Sequence, residues 1–143
     1  KAITLSNISF IYKVRGEFLT AINCLEQSLS IMRKIGNSSG EAKTLINISQ
    51  VYEELGDLER CDEFFQLSLQ IMQENQAYED ACDALLSMGK AFWKDNNHEM
   101  ALSNWSLLKK LALENHLPDN LEKLRELTQS LGIDELKFVT EIG

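Results

Sequence analysis

The sequence is poor in the residues that end regular structure, with one proline and seven glycines among 143 residues. A β-sandwich needs many tight turns, and therefore more of both residues. Long stretches are instead rich in Leu, Ala, Glu, Lys and Gln, which favour helix. The hydrophobic share of 44% is ordinary for a globular protein. The composition therefore predicts an all-α fold.

Basic charge is also scarce. The chain has 14 Lys and Arg against 22 Asp and Glu, a formal net charge of −8. Nucleic-acid binders and proteins that dock on anionic membranes usually carry a basic face, so we expect neither a nucleic-acid partner nor membrane insertion. No apolar run approaches the roughly 20 residues that span a bilayer. Because the sequence opens at Lys1 directly in a helical pattern, we expect it to be part of a larger protein.

Cysteine is rare and odd in number. Cys24, Cys61 and Cys82 have spacings that match no C-x-x-C metal or redox motif. All three fall within helical patterns, where a cysteine usually acts as a small buried hydrophobe in a reducing compartment. This usage predicts a cytoplasmic location.

Catalytic motifs are missing as well. The sequence has no glycine-rich phosphate loop, no H-E-x-x-H and no G-x-S-x-G. His98 and His116 fall at predicted turns. Acidic residues are adjacent at 53–54 and 62–63, and neighbours on a helix point about 100° apart, so neither pair converges on a substrate. We expect no enzymatic activity, no metal site and no cofactor.

An internal repeat is the strongest positive signal. Similar residues recur forty positions apart in three copies, which exceeds ordinary helical periodicity and indicates a repeat architecture. The columns are Leu5, Leu45 and Leu85; Ile8, Ile48 and Met88; Tyr12, Tyr52 and Phe92; Leu25, Phe65 and Trp105; Ile31, Ile71 and Leu111; Ala2, Ala42 and Cys82; Ala21, Cys61 and Ala101; Gly16, Gly56 and Asn96. Each copy predicts a hairpin of two amphipathic helices, and hairpins must stack because one alone cannot bury its apolar face.

Two columns have particular roles in such a hairpin. The column that begins with Gly16 lies where the chain reverses, and its third member, Asn96, is the residue type that best tolerates positive φ after glycine. The column that begins with Ala21 is small, which lets the two helices approach closely. The segment 36–40, with the sequence GNSSG, predicts a loop between the first and second copies.

These columns resemble the tetratricopeptide repeat. Its pattern of large, Leu, small, Tyr, Gly, Ala, aromatic and Ala positions is matched in the second copy by Leu45, Ile48, Ser49, Tyr52, Gly56, Cys61, Phe65 and Ser68. The third copy offers Leu85, Met88, Gly89, Phe92, Asn96, Ala101, Trp105 and Leu108. The forty-residue period is longer than the common 34. It is similar to the repeats of Pins/LGN-type cell-polarity adaptors, bacterial regulators and kinesin light chains.

The resemblance implies one domain, a right-handed α-solenoid of three helix hairpins at about 1–36, 41–75 and 78–115. A capping helix is expected at about 118–131, because Pro118 suits a first helical turn. Its apolar stripe would be Leu121, Leu124, Leu127 and Leu131. The tail at 132–143 is expected to be either a short helix or the start of a link to another domain.

The resemblance further implies a concave groove, lined by the first helix of each hairpin, that binds an extended peptide or a helix. Carried over column by column, with Lys13 beside them, the partner-binding residues are Asn7, Phe10, Lys43, Asn47, Gln50, Glu54, Ser87, Lys90, Trp93 and Lys94. The amides of Asn7 and Asn47 share a column and suit a peptide backbone. Phe10 and Trp93 are either binding anchors or packed against a neighbouring helix.

Two functions follow from this reading. The first is a non-catalytic module that binds a protein or peptide partner in its groove, in the manner of a scaffold or signalling adaptor, with self-association through the repeat ends as a further possibility. The alternative is a sensory or regulatory arm of a larger signalling enzyme or transcription regulator. The identity of the partner is not encoded in any motif.

Overall fold

A computed structural model describes residues 2–133 of the chain, apart from the side chains of residues 2–4, 6 and 14. Within this range all regular structure is α-helical, which confirms the predicted all-α class. The helices are α1 (Ala2–Val14), α2 (Phe18–Lys34), α3 (Ser38–Leu55), α4 (Leu58–Glu74), α5 (Tyr78–Lys94), α6 (His98–Glu114) and α7 (Pro118–Ser130). The right-handedness of the solenoid and the number of its hairpins stay predictions. Most of the predicted tail lies outside the described residues.

The forty-residue period is made of two nearly equal halves. Helices α2 to α7 begin at residues 18, 38, 58, 78, 98 and 118, so successive helices start 20 residues apart. The loop predicted at 36–40 is shorter than expected, because α3 already begins at Ser38. Asn37 Oδ1 accepts a hydrogen bond of 2.9 Å from the backbone N–H of Gly40. This N-cap lets the polar GNSSG segment enter the helix.

The turns repeat with the same period. The column predicted to reverse the chain has positive φ in all three copies, at 79° for Gly16, 82° for Gly56 and 63° for Asn96. After Gly56, the backbone N–H of Asp57 donates to the carbonyl oxygen of Tyr52 at 2.9 Å, the longer bond of a Schellman motif. The intervening turns use the same conformation at Gly36, Gln76 and His116.

The chain divides into two compact units, Lys1–Gln76 and Ala77–Gly143. In the first unit, α1 packs on α2, α2 on α3 and α3 on α4. Ala21, Leu45, Cys61 and Phe65 have at most 1% of their surface exposed. The small column is thus buried where paired helices meet, as its size predicts. Ser49 Oγ lies 3.5 Å from Cys61 Sγ, which ties α3 to α4.

In the second unit, α5 packs on α6, and α7 packs mainly on α6 and to a smaller extent on α5. Trp105 is completely buried, and its Nε1 donates to the carbonyl oxygen of Leu86 at 3.4 Å. Gly89 lies against the indole, and a Cβ built at this glycine would collide with it. The large ring is therefore accommodated because the facing residue has no side chain.

Helix α7 begins at Pro118, as the sequence predicts. Its buried face is rotated from the expected stripe. Asn120, Leu124 and Thr128 are buried, whereas Leu121, Leu127 and Leu131 are only half-buried. Asn120 Nδ2 donates to Asp83 Oδ1 on α5 at 3.0 Å. A buried asparagine with a partner of this kind is satisfied, which explains why an apolar-stripe argument misplaces the inner face.

Candidate protein-binding surface

Six of the ten predicted partner-binding residues belong to the first unit, with Asn7 and Phe10 on α1 and the other four on α3. The four on α3 recur every three or four residues and therefore share one face of the helix. Lys43, Asn47 and Glu54 are exposed and Gln50 is half-buried. These four residues form what we call the α3 stripe. It lies apart from the buried positions that contact α4.

An ion pair joins the predicted surfaces of α1 and α3. Lys13 Nζ lies 3.1 Å from Glu54 Oε1, with 23% and 38% of the two side chains exposed. A partly exposed pair of this kind contributes about 0.2–1 kcal/mol. It brings positions of the first and second copies together, and it also means that Glu54 already has an intramolecular partner.

A surface pocket of about 310 Å³ lies at the N-terminal half of the α3 stripe. Lys43 and Asn47 line it together with Met32, Asn37, Ser39, Gly40 and Thr44. The Thr44 hydroxyl donates to the carbonyl oxygen of Gly40 at 2.8 Å, so this part of the wall is satisfied internally. The pocket thus combines the ammonium group of Lys43, the side-chain amides of Asn37 and Asn47 and the side chain of Met32.

A second pocket, of about 590 Å³, lies between α2 and α4 and contains none of the predicted residues. Glu26, Leu29, Ser30, Arg33, Lys34 and Phe64 line it. The Phe64 ring stacks on Tyr52 with 5.5 Å between centroids. Sequence reasoning missed this pocket, and an aromatic residue beside the buried Phe65 column was the only available signal.

The remaining four predicted residues lie on α5 in the second unit. Ser87, Lys90 and Lys94 are exposed, whereas Trp93 is half-buried. The Trp93 ring stacks on His98 with 3.7 Å between centroids and meets Trp105 at 5.7 Å. Of the two readings left open by the sequence, packing within the protein is therefore the one observed for Trp93. Phe10 differs, since 62% of its surface is exposed.

The two histidines have different settings. His98 is the first residue of α6 rather than a turn residue, and it packs on Trp93. His116 lies in the turn before α7 with φ of 56°. Among the described residues, no group of three or more His, Cys, Asp or Glu side chains is placed to hold a metal ion.

All three cysteines are free thiols. Burial raises the pKa of Cys61 from 9.0 to about 11, and the hydrogen bond with Ser49 lowers it only in part. Burial likewise raises the pKa of Cys82 to about 11, helped by the negative charge of Asp83. Both thiols are protonated at neutral pH, which makes them poor nucleophiles.

The comparisons with known proteins agree with the repeat. The model of the Tetratricopeptide repeat family matches residues 1–74. The chain belongs to this family, whose repeats generally mediate protein–protein interactions and are typically not catalytic. No curated protein matches the chain. No helix in the described part of the chain is long and apolar enough to cross a membrane.

Proposed function

We propose that this chain is a non-catalytic module that binds an extended peptide or helical segment of a partner protein. The binding surface we propose comprises the α3 stripe together with Asn7 and Phe10 on α1, the helix that the Lys13–Glu54 ion pair joins to α3. The observation that carries the proposal is the pocket of about 310 Å³, because Lys43 and Asn47 both line it.

The side chains of this surface suit a peptide. The Asn47 amide offers two donors and an acceptor, so it can pair with both backbone groups of one ligand residue. The Lys43 ammonium group can receive a carbonyl or carboxylate oxygen. The exposed ring of Phe10 offers the aromatic area that often carries much of the binding energy at interfaces.

On the second unit, we propose a smaller role for α5. Lys90 and Lys94 are exposed and lie one turn apart, so they can receive acidic side chains of a partner, with Ser87 as a hydrogen-bonding neighbour. Trp93 is less suited to be an anchor, since His98 covers one face of its ring.

We also propose that the module works as an adaptor in the cytoplasm. Its three free cysteines support a reducing compartment, where unpaired thiols persist. The raised pKa values of Cys61 and Cys82 support a structural role for both.

Peptides selected from a random library on the immobilised chain provide a test that needs no known partner. Their affinity is then measured by fluorescence anisotropy with the double variant Lys43→Ala/Asn47→Ala. We expect this variant to bind at least about tenfold more weakly, equivalent to about 1.4 kcal/mol.

The matched control is Asn23→Ala/Lys110→Ala, which removes the same side-chain types from exposed positions outside the pocket. It should bind like the wild type, and circular dichroism should show equal helicity for both variants. Equal binding by the pocket variant and the control would refute the proposed surface.

A further inference from the structure

We propose that the pocket between α2 and α4 binds an extended acidic segment of a partner protein, with an aromatic side chain on the same face of the segment as its carboxylates. The pocket has a volume of about 590 Å³, within the range of typical ligand sites. It shares no lining residue with the pocket at the α3 stripe and is therefore a second site, separate from the surface proposed above.

The charges that line this pocket favour an anionic ligand. Arg33 and Lys34 are the last two residues of α2, and both are exposed. One acidic residue, Glu26, also lines the pocket. It precedes the two cations by seven and eight positions, which places it about 10–12 Å away along the helix axis. In a chain with a formal net charge of −8, the Arg33 end of the pocket is thus a local basic patch.

The Arg33 guanidinium is already oriented within the protein. Its Nε donates to Glu41 Oε2 at 3.0 Å, while 53% of the side chain stays exposed. Because a guanidinium has five N–H donors, the contact with Glu41 holds the group in place and leaves donors for a carboxylate. The exposed Ser30 adds a hydroxyl group one turn earlier on α2.

Phe64 supplies an aromatic surface in the same pocket. Its ring stacks on the buried Tyr52, with 5.5 Å between centroids and 7° between ring planes. Tyr52 therefore covers one face of the ring, while the half-buried side chain also lines the pocket. A fixed ring of this kind suits an offset or edge-to-face contact with an aromatic side chain of the ligand.

The charged and aromatic lining is not repeated along the chain. Forty residues after Arg33, Lys34 and Phe64, the corresponding positions are taken by Gln73, Glu74 and Asn104. The position of Leu29, which also lines the pocket, instead keeps a buried leucine at Leu69. The packing of the repeat accounts for the leucine but does not require the two cations.

The size of the pocket favours an extended segment over a helix. From Glu26 to Lys34, α2 rises about 12 Å, which about four extended residues span. A strand about 4.8 Å by 10 Å in cross-section would occupy about 600 Å³ over this length, close to the pocket volume. A helix about 10 Å in diameter would need about 900 Å³.

The described part of a second copy does not offer such a segment. Every aromatic residue in the described part of the chain lies within a helix, where neighbouring side chains point about 100° apart. An extended segment instead places every second side chain on one face. The ligand is therefore a segment of another protein, with an aromatic residue followed by acidic residues two and four positions later.

The probe for this proposal is the fluorescein-labelled peptide GSFSESEG, which has this spacing. Its binding to the whole chain is measured by fluorescence anisotropy. The peptide GSFSQSQG lacks the carboxylates, and GSASESEG lacks the ring. We expect the probe to bind at least about threefold more tightly than either of them.

Two exposed charges of the pocket should change the affinity for the probe in opposite directions. Lys34→Gln should weaken binding at least about threefold because it removes a cation, whereas Glu26→Gln should strengthen it about twofold because it removes a carboxylate. The matched controls Lys110→Gln and Glu99→Gln change the net charge equally at exposed positions of α6 and should bind like the wild type. Circular dichroism should show equal helicity for all four variants.

Unchanged binding by Lys43→Ala/Asn47→Ala would support a separate site, whereas weaker binding would place the probe at the α3 stripe and overturn the proposal. Equal affinity for the probe and GSFSQSQG, or for Lys34→Gln and Lys110→Gln, would also overturn it. A peptide with the sequence of residues 134–143 that binds more tightly than the probe would assign the pocket to a segment of the chain itself. A wild-type dimer that Lys34→Gln converts to monomer would assign it to a second copy, and either result would contradict a partner protein.

Discussion

The helix pairs α3–α4 and α5–α6 fill matching positions with side chains of different size. In α3–α4, Ser49 shares its core with Phe65; at the corresponding positions, Gly89 lies against Trp105. Both rings are completely buried. The larger indole is thus matched by the loss of a side chain on the facing helix, as expected when a close-packed core conserves total volume.

The two pairs also satisfy their polar atoms differently. Ser49 Oγ lies 3.5 Å from Cys61 Sγ, whereas the corresponding Gly89 and Ala101 have no polar side-chain atoms. Trp105 instead introduces an indole N–H, which donates to the carbonyl oxygen of Leu86 at 3.4 Å. A repeat column therefore specifies where a side chain lies, while its size and polarity depend on the residue it faces.

We expect the greatest loss of stability when the buried aromatic ring of α4 is removed. Phe65→Ala should lower the free energy of unfolding by about 3–5 kcal/mol, because a completely buried ring leaves a cavity. Urea denaturation followed by circular dichroism measures this loss. The neighbouring Phe64→Ala is the matched control and should cost less, since Phe64 is half-buried. A loss at Phe65 below about 1 kcal/mol, the size of an ordinary substitution, would contradict the proposed register.

A second change breaks the size match in α5–α6. Gly89→Ser gives α5 the residue found in α3 and should cost about 1–3 kcal/mol by overpacking against Trp105, although serine alone favours helix more than glycine does. Adding Trp105→Phe recreates the pair found in α3–α4 and should recover part of the loss. The same denaturation experiment gives both values. If the double variant is no more stable than Gly89→Ser alone, the size of the residue at position 89 does not depend on the size of the residue at position 105.

A third change gives α3–α4 an alanine in the small column, as α5–α6 already has. Cys61→Ala should cost about 1 kcal/mol at pH 7, since it removes a buried sulfur and its contact with Ser49. The difference in stability between the wild type and Cys61→Ala should shrink as the pH rises from 9 towards 11. The wild-type thiol ionises from about pH 9 in the unfolded chain but stays protonated in the folded one, where its pKa is about 11, so wild-type stability falls across this window.

Thermal denaturation at pH 7, 9 and 10.5, with Cys61→Ala measured beside the wild type, checks this prediction. Cys82 is present in both proteins and contributes equally to both curves. A constant difference between wild type and variant across the three pH values would show that the thiol does not contribute to the pH dependence.

The smallest effect concerns the turns. Asn96 holds positive φ where the corresponding residue of the other pair is Gly56. Asn96→Gly should stabilise the protein by up to about 1 kcal/mol, because glycine adopts this conformation without strain. The opposite substitution, Gly56→Asn, should destabilise the protein.

Asp95→Gly serves as the control for this turn, since Asp95 has φ of −84° and gains nothing from glycine. All three stabilities follow from thermal melts. A destabilising effect of Asn96→Gly would mean that the asparagine side chain contributes more than the backbone strain costs.

Parts of the candidate site could be read from the sequence. Lys43, Asn47, Gln50 and Glu54 were predicted to line the groove because the resemblance to the tetratricopeptide repeat carries these columns over, and their helical spacing agrees, since it places them on one face. The contact of Glu54 with Lys13 and the stacking of Trp93 on His98 were not predicted. Both join different helices, and side-chain directions across a helix–helix contact depend on packing rather than on spacing along one chain.

The amino-acid sequence was enough to predict the all-α class, the forty-residue period and the turn positions at Gly16, Gly56 and Asn96, because helical periodicity and tolerance of positive φ are local properties. The tertiary structure was needed to show that Gln76 and His116 adopt the same turn conformation, since neither is the glycine or asparagine on which a sequence prediction of positive φ rests. It also decided that Asn120 and Thr128 face inward on α7 while three of four leucines are only half-buried. Burial is settled by which neighbours a residue meets, and those neighbours come from distant parts of the chain.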